Sequence, residues 1–354
     1  MSQWPDTRII DLLGIELPII QGPMAGATNS SMVIAVCNAG GLGSMPAAML
    51  SIEQLRAELQ TIRQRTTRSF NVNFFSHQPP AADEQRAREW KNKLEPYYRE
   101  LGVDFEAPTP VSNRAPFDAA ACEVLEEFRP EVVSFHFGLP EKQLLERVKA
   151  TGAKILSSAT TVDEAVWLEQ NGCDAIIAMG YEAGGHRGMF LSEDLSSQVG
   201  TFALVPQIVD AVKVPVIAAG AIADARGVAA ALMLGASAVQ VGTAYLFTPE
   251  AKISASHHKA LRTAKESETA ITNIFTGRPA RGILNRVMRE LGPMSAHAPA
   301  FPLAGGALMP LRAVSEEHFA NLWAGQAFTL GKDMGSAELT RQLAEGALAK
   351  LTRR

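Results

Sequence analysis

The sequence predicts an α/β chain folded as a (β/α)8 TIM barrel with a helical insertion and a C-terminal helical cover. Three observations carry this. Short apolar, β-branched runs alternate with helical stretches, and eight such runs stand between residues 18 and 242. The runs are apolar on both faces, as strands of a parallel sheet covered by helices must be. No Gly-x-Gly-x-x-Gly follows the first run, which argues against a doubly wound open sheet.

The first strand is Pro18-Ile19-Ile20-Gln21, ending in Gly22-Pro23-Met24-Ala25-Gly26. A helix over Ser30–Asn38 is closed by Gly40-Gly41, and Leu42–Met45 reads as a short second strand. Ser51 caps a helix to Arg65, with Glu53 early and Arg63 and Arg65 late, as the macrodipole favours. Phe70–Phe75 is the third strand, with two asparagines on one face. The alternation breaks over about 77–117, a charged stretch with Pro79-Pro80 and a polar helix around Ala82–Tyr98, which reads as an insertion at a strand's C-terminal end. Regularity returns with helix Ala119–Phe128, strand Val132–Phe137, helix Glu141–Ala150 and strand Lys154–Ala159. Thr161 caps the next helix, with Glu164 placed for a capping box. Strand Ala175–Met179, helix Ala203–Val212, strand Val214–Gly220, helix Ala225–Leu234 and strand Ala238–Gly242 complete the series. From Thr248 the strand signal disappears. The expected organisation is a barrel over 1–248 and a helical region over 249–354 that covers the barrel mouth together with the insertion.

Composition narrows the function classes. Apolar residues make up 47% of 354 and charged residues 20%, which indicates much buried surface. The formal charge is −4 and no long basic run occurs, so no nucleic-acid partner is expected. No apolar stretch reaches the length of a membrane span, and Met1–Asp6 lacks the start of a signal peptide. Cys37, Cys122 and Cys173 are odd in number and far apart, fitting reduced thiols in a cytoplasmic protein. No His/Cys/Asp/Glu group has metal-ligand spacing, so no metal is expected.

The chemistry is expected in the loop after strand Ala175–Met179. There Gly184, Gly185 and Gly188 surround His186 and Arg187. Glycine lets backbone approach a flat ligand closely. Histidine titrates near neutrality and suits proton transfer. A barrel keeps its reacting groups at the C-terminal ends of its strands. Two later strands end in glycine, at Gly220-Ala221 and at Gly242-Thr243. The last two loops of a barrel often bind phosphate through backbone amides, and Thr243 adds a hydroxyl. Together with Met24, Asn71, His136 and Met179 at strand ends, they suggest a flat cofactor such as FMN across the mouth. Spacing alone does not separate FMN from a phosphorylated sugar.

The chain resembles the nitronate monooxygenase family, formerly called 2-nitropropane dioxygenases. The resemblance is carried by Gln21-Gly22-Pro23-Met24-Ala25, Asn38–Ser44, Phe70-Asn71-Val72-Asn73, Val133–Gly138 and Glu182-Ala183-Gly184-Gly185-His186-Arg187-Gly188. The phosphate-type loops at Gly220-Ala221 and Gly242-Thr243, together with Thr276–Gly282 and Trp323-Ala324-Gly325-Gln326 in the tail, extend it over nearly the whole chain. It implies a barrel with bound FMN that oxidises an alkyl nitronate with O2 to a carbonyl compound and nitrite. By position, the phosphate would meet Gly220, Ala221, Gly242 and Thr243, with Val241 beside them. The ring system would lie near Pro23, Met24, Ala25, Asn71, Met179, Gly184, Gly185 and Gln240. His186 would be the catalytic histidine, and His136, Phe301 and Met309 would line the substrate pocket.

The match departs from the family at several points. Phe301 and Gly305 stand where relatives have tyrosines, Met309 where they have a lysine, Met179 where glutamine is common and Ala221 where a second glycine is common. The missing tyrosines and lysine imply a more apolar, less cationic pocket, with room for a larger or neutral substrate, while Met179 implies a lost hydrogen bond to the ring. Arg187 reads as a salt-bridge or loop anchor and His257-His258 as a solvated helix face. Two other readings stay open: an FMN-dependent NAD(P)H reductase of quinones or enoyl thioesters, and a non-catalytic flavin-binding protein. The expected partners are a small-molecule substrate and O2, and a homo-oligomer is compatible with the sequence.

Overall fold

The computed structural model describes residues 4–111 and 114–352. Eight parallel strands form its centre: β1 (Ile19–Gln21), β2 (Ser44–Pro46), β3 (Asn71–Phe75), β4 (Val132–His136), β5 (Lys154–Ala159), β6 (Ala175–Met179), β8 (Val216–Ala219) and β9 (Ala238–Val241). They lie in the order β1-β9-β8-β6-β5-β4-β3-β2, and a bridge between Ile20 and Leu42 joins the two ends into a barrel. Inside it, Ile20, Leu42, Leu156, Ile177 and Ile217 pack against Ile9 and Leu13 of helix Arg8–Leu13, which plugs the floor. A second apolar layer lies between the strands and the outer helices. Both layers explain why the strands read as apolar on both faces.

Local signals place the helices. Asn29 caps Ser30–Asn38 by accepting from the Met32 amide. Ser51 and Gln54 form a reciprocal capping box on helix Ile52–Arg65. At Thr161 the expected box is incomplete. Thr161 accepts from the Glu164 amide, but the buried Glu164 carboxylate turns to the Thr160 amide and hydroxyl (both 2.7 Å) and the Phe190 amide (2.6 Å). It ties the end of β5 to the loop beyond His186 instead of closing its own helix. Cys37, Cys122 and Cys173 are free and buried, and burial pushes the Cys37 thiol up to about 12.

The chain after Thr248 corrects the expectation of an all-helical cover. Thr269–Thr272 (β10) and Ala280–Ile283 (β11) pair antiparallel, and β11 also pairs with Gly185–His186 (β7). Both segments are short and only partly alternating, so their pattern does not stand out locally. Helix Ser336–Leu351 packs against Ala225–Met233 and Ser30–Asn38 and completes the barrel's outer ring. The cover proper joins the insertion helix Glu84–Glu100 to the tail. Its Trp90, Leu94 and Tyr98 pack on Phe275, Leu308 and Leu311, with the Trp90 indole donating to the Ala304 carbonyl (2.9 Å) and the Tyr98 hydroxyl to the Ala307 carbonyl (2.6 Å). Among the described residues no helix is long and apolar enough to cross a membrane.

Candidate active site

The loop after β6 is held from both ends. Arg187 is fully buried and donates to the carbonyls of Met179 (2.8 Å) and Gly180 (2.6 Å) and to Gln198 (2.9 Å). It therefore anchors the loop, and burial lowers its guanidinium only to about 10, so it stays charged. Two glycines let other segments in close. A Cβ at Gly184 would meet the Gly325 amide at 2.5 Å, and one at Gly188 would meet Ser158 at 2.9 Å and His136 at 3.0 Å. The Trp323–Gln326 loop is thereby pressed onto the histidine loop, with the Gln326 amide bonded to the Glu182 carbonyl (3.0 Å).

His186 sits in β7, opposite Ala280 of β11. Its Nε2 lies 3.0 Å from the Thr276 hydroxyl, which itself donates to the Arg278 carbonyl (3.4 Å). When that hydroxyl gives its proton to the Arg278 carbonyl, Nε2 carries the imidazole proton and donates to Thr276. This leaves the Nδ1 lone pair as the ring's free acceptor. Burial, and then the charge of Arg114, hold the imidazole well below its usual range, so it is neutral. His136 supports it from behind. His136 Nε2 donates to the His186 carbonyl (3.1 Å) and Nδ1 accepts from Ser158 (3.1 Å), so both ring nitrogens are occupied; burial takes its pKa to about 4.

His186 opens onto a cavity of about 320 Å³ at the barrel mouth, within the range of small-molecule sites. Pro23, Met24, Ala25, His136, Met179, Gly184, Gly185, Gly220, Ala221, Gln240, Gly242 and Thr243 all line it. The amides of Gly220, Ala221, Gly242 and Thr243 make no hydrogen bond to described residues, so the wall presents unspent donors. Thr243 Oγ1 accepts from the Gly325 amide (3.0 Å), and its own proton is left for a ligand. A Cβ at Gly242 would find only Met24 Sδ, at 3.9 Å, so that face is open to close approach. Ala221 holds φ +55 without being glycine, at a cost of roughly 1–2 kcal/mol. The donor set fits a single phosphate, and the methionine and glycine surfaces beside it fit a flat ring.

Four expected residues are not brought to the cavity. Asn71 is the first residue of β3, not the last; it is fully buried and donates to Ser134 (2.8 Å). Asn73, two residues nearer the mouth on the same face, lines the cavity instead and donates to Ser134 (2.9 Å). Strand polarity, applied to the pair, would have selected it. Val241 points into the apolar layer between strands and helices. Met309 is 47% exposed and lies outside the cavity. Phe301 is buried in an aromatic cluster, its ring 5.3 Å from His186 and 4.7 Å from His77, and so backs the histidine without lining the cavity. His257 is not a solvated residue: it lines the cavity, bonds the Trp323 carbonyl (3.1 Å), and burial holds it at about 4. Sequence reasoning also missed Phe75, Trp323 and Arg114 as cavity walls. The last two come from the cover, and local pattern carries no signal of where it docks.

The family profile described as nitronate monooxygenase matches residues 6–346. A nitronate monooxygenase of Pseudomonas aeruginosa is 41% identical over 96% of this chain and 98% of its own length. Among solved structures, nitroalkane oxidase from Streptomyces ansochromogenes is 36% identical with a TM-score of 0.88, covering 97% of this chain and 98% of that one. FabK from Thermotoga maritima is more distant, at 27% identity and a TM-score of 0.72 over 97% and 96%. Matched from Asp6 to Gly346 and sharing two residues in five with a curated member, the chain belongs to the nitronate monooxygenase family.

Proposed function

We propose that this protein is an FMN-dependent nitronate monooxygenase, converting an alkyl nitronate and O2 to a carbonyl compound and nitrite. The observation that carries the reading is the His186 imidazole, held at Nε2 by Thr276, sharing one cavity with four unspent backbone amides. The amides of Gly220, Ala221, Gly242 and Thr243 would hold the FMN phosphate, and Gln240, Met24 and Met179 would flank its ring. The chemistry supplied by bound FMN is the oxidation of the nitronate that precedes its reaction with O2.

The protein's own contribution is positioning and proton handling. Thr276 fixes the ring of His186 and its tautomer. When a neutral nitroalkane is the substrate, Nδ1 takes the proton from the carbon beside the nitro group. The depressed basicity of His186 couples that transfer to stabilisation of the anion formed, because the imidazolium persists only next to it. Phe75 and Trp323 cover the alkyl part and keep water away.

The test is a visible spectrum of the purified protein, followed by titration with a nitronate and, separately, with NADH and NADPH. A flavin spectrum, O2 consumption and nitrite release with nitronate are expected. A colourless protein that refuses FMN, or a flavin bleached by NAD(P)H and inert to nitronates, overturns the reading.

A further inference from the structure

The substrate of the reaction proposed above is an anion, yet the position where the family resemblance points to a lysine holds Met309, outside the cavity. We propose that Arg114 is the anion-binding residue of this site, receiving the two oxygens of a nitro or nitronate group and setting the pocket's preference for a small planar oxyanion. The proposal rests on the functional reading above and names the group that selects its substrate.

Three cationic side chains line the cavity among the described residues: Arg114, Lys252 and Arg312. Lys252 and Arg312 are exposed. Arg114 alone of the three is half-buried. Its segment is anchored at the mouth: the Phe117 amide donates to the Phe75 carbonyl (2.8 Å), and the Phe117 ring packs on Phe74 at 4.8 Å. Phe75 in turn places its ring 6.0 Å from that of His186. Arg114 stands three residues before that anchor and lines the same cavity as His186. After burial, the Arg114 charge also holds the His186 imidazole below its usual range. Arg278 is also near the imidazole but does not line the cavity. It stacks over Phe137 at 4.1 Å and donates to the Met189 carbonyl.

The chemistry matches the group. A guanidinium offers two parallel N–H donors in a planar fork, the complement of two oxygens on one nitrogen. Partial burial removes competing water, so the pairing is stronger than at the surface. An anion formed by proton transfer to His186 then has a fixed cation on its oxygens while the imidazolium faces its carbon. Arg114 stands in the 77–117 insertion and not in the segment around Met309. The positive charge thus enters the pocket from a different part of the chain.

The probe is sodium nitrite, a planar oxyanion and the expected product, titrated by calorimetry into the FMN-loaded protein. Arg114→Met should weaken nitrite binding by roughly 10- to 100-fold, the loss expected for a charge-assisted hydrogen-bonded pair, with FMN content unchanged. Arg114→Gln keeps length and polarity without charge and should show the same loss; it decides the matter if the methionine variant does not hold FMN. Arg114→Lys should recover only part of the affinity, because an ammonium lacks the fork. In turnover with a nitronate, KM should rise more than kcat falls. Unchanged nitrite affinity in both neutral variants, or no nitrite binding by the wild-type protein, overturns the proposal. If the wild-type protein oxidises no nitronate, the functional reading fails, while the nitrite titration still decides whether Arg114 binds the anion.

Discussion

One wall of the cavity is backbone and the other is side chain. The barrel wall offers the amides of Gly220, Ala221, Gly242 and Thr243, all at the ends of β8 and β9. The facing wall offers His186, Trp323 and Arg114, held by segments far apart in the chain. The backbone wall asks only for an amide in place with no bulk in front of it: Ala221, where the resemblance points to glycine, still presents its amide in a left-handed turn. The side-chain wall has no such latitude, because the free nitrogen of His186 depends on a hydroxyl 90 residues away. Damage to the first wall should therefore cost the cofactor, and damage to the second should cost the reaction.

The largest expected effect is on the second wall. His186→Asn should lower turnover of a neutral nitroalkane by roughly 10²- to 10⁴-fold, the usual worth of a general base, with FMN still bound. A preformed nitronate should suffer less, since its proton is already gone. Wild-type rates with both substrates would remove the base role and blur the contrast between the walls.

Gly242→Val tests the first wall. The added side chain projects into the open face beside Met24, so FMN should be lost while the fold, read by circular dichroism, is kept. Retention of FMN at full stoichiometry would show that the phosphate lies elsewhere.

Acid should act on the histidine-rich wall next. Burial holds His77, His136 and His257 at about 4 in the folded protein against an ordinary 6.5, and holds His186 well below its usual range. Between those values the unfolded chain binds protons that the folded chain refuses. Stability is therefore retained above 6.5 and falls as pH drops from 6.5 through about 4. A melting temperature that stays flat over that range would mean the rings are hydrated or paired in the native state.

Smaller effects sharpen the comparison. Thr276→Val removes the partner that fixes His186 and should cost roughly tenfold in rate, as one hydrogen bond does, without loss of FMN. Met309→Lys should change neither rate nor FMN content, because position 309 lies outside the cavity. A gain in nitronate affinity there would show that the cover docks differently.

Much of the barrel is legible in the sequence. Helices Ser30–Asn38 and Ala119–Phe128 and strands Lys154–Ala159 and Ala175–Met179 lie where periodicity, caps and glycine stops put them. The histidine loop is legible too, since three glycines surround one imidazole directly after a buried strand. The choice between Asn71 and Asn73 is a question of depth along one strand, and a face pattern is blind to depth without the strand's end. The ribbon β10–β11 escaped because each strand is four residues long and its partner is a two-residue strand in a distant loop.

By itself, then, the sequence determines the parallel barrel, the glycine-ended loops and the one histidine among them, because each follows from the order of neighbouring residues. Only the tertiary structure decided that Thr276 holds Nε2 of His186, that Asn73 reaches the mouth in place of Asn71, and that Arg114 brings a cation where Met309 does not. Each of these is set by contacts across the cavity or by depth within it, and side chains meeting over such separations leave no periodic trace in the chain.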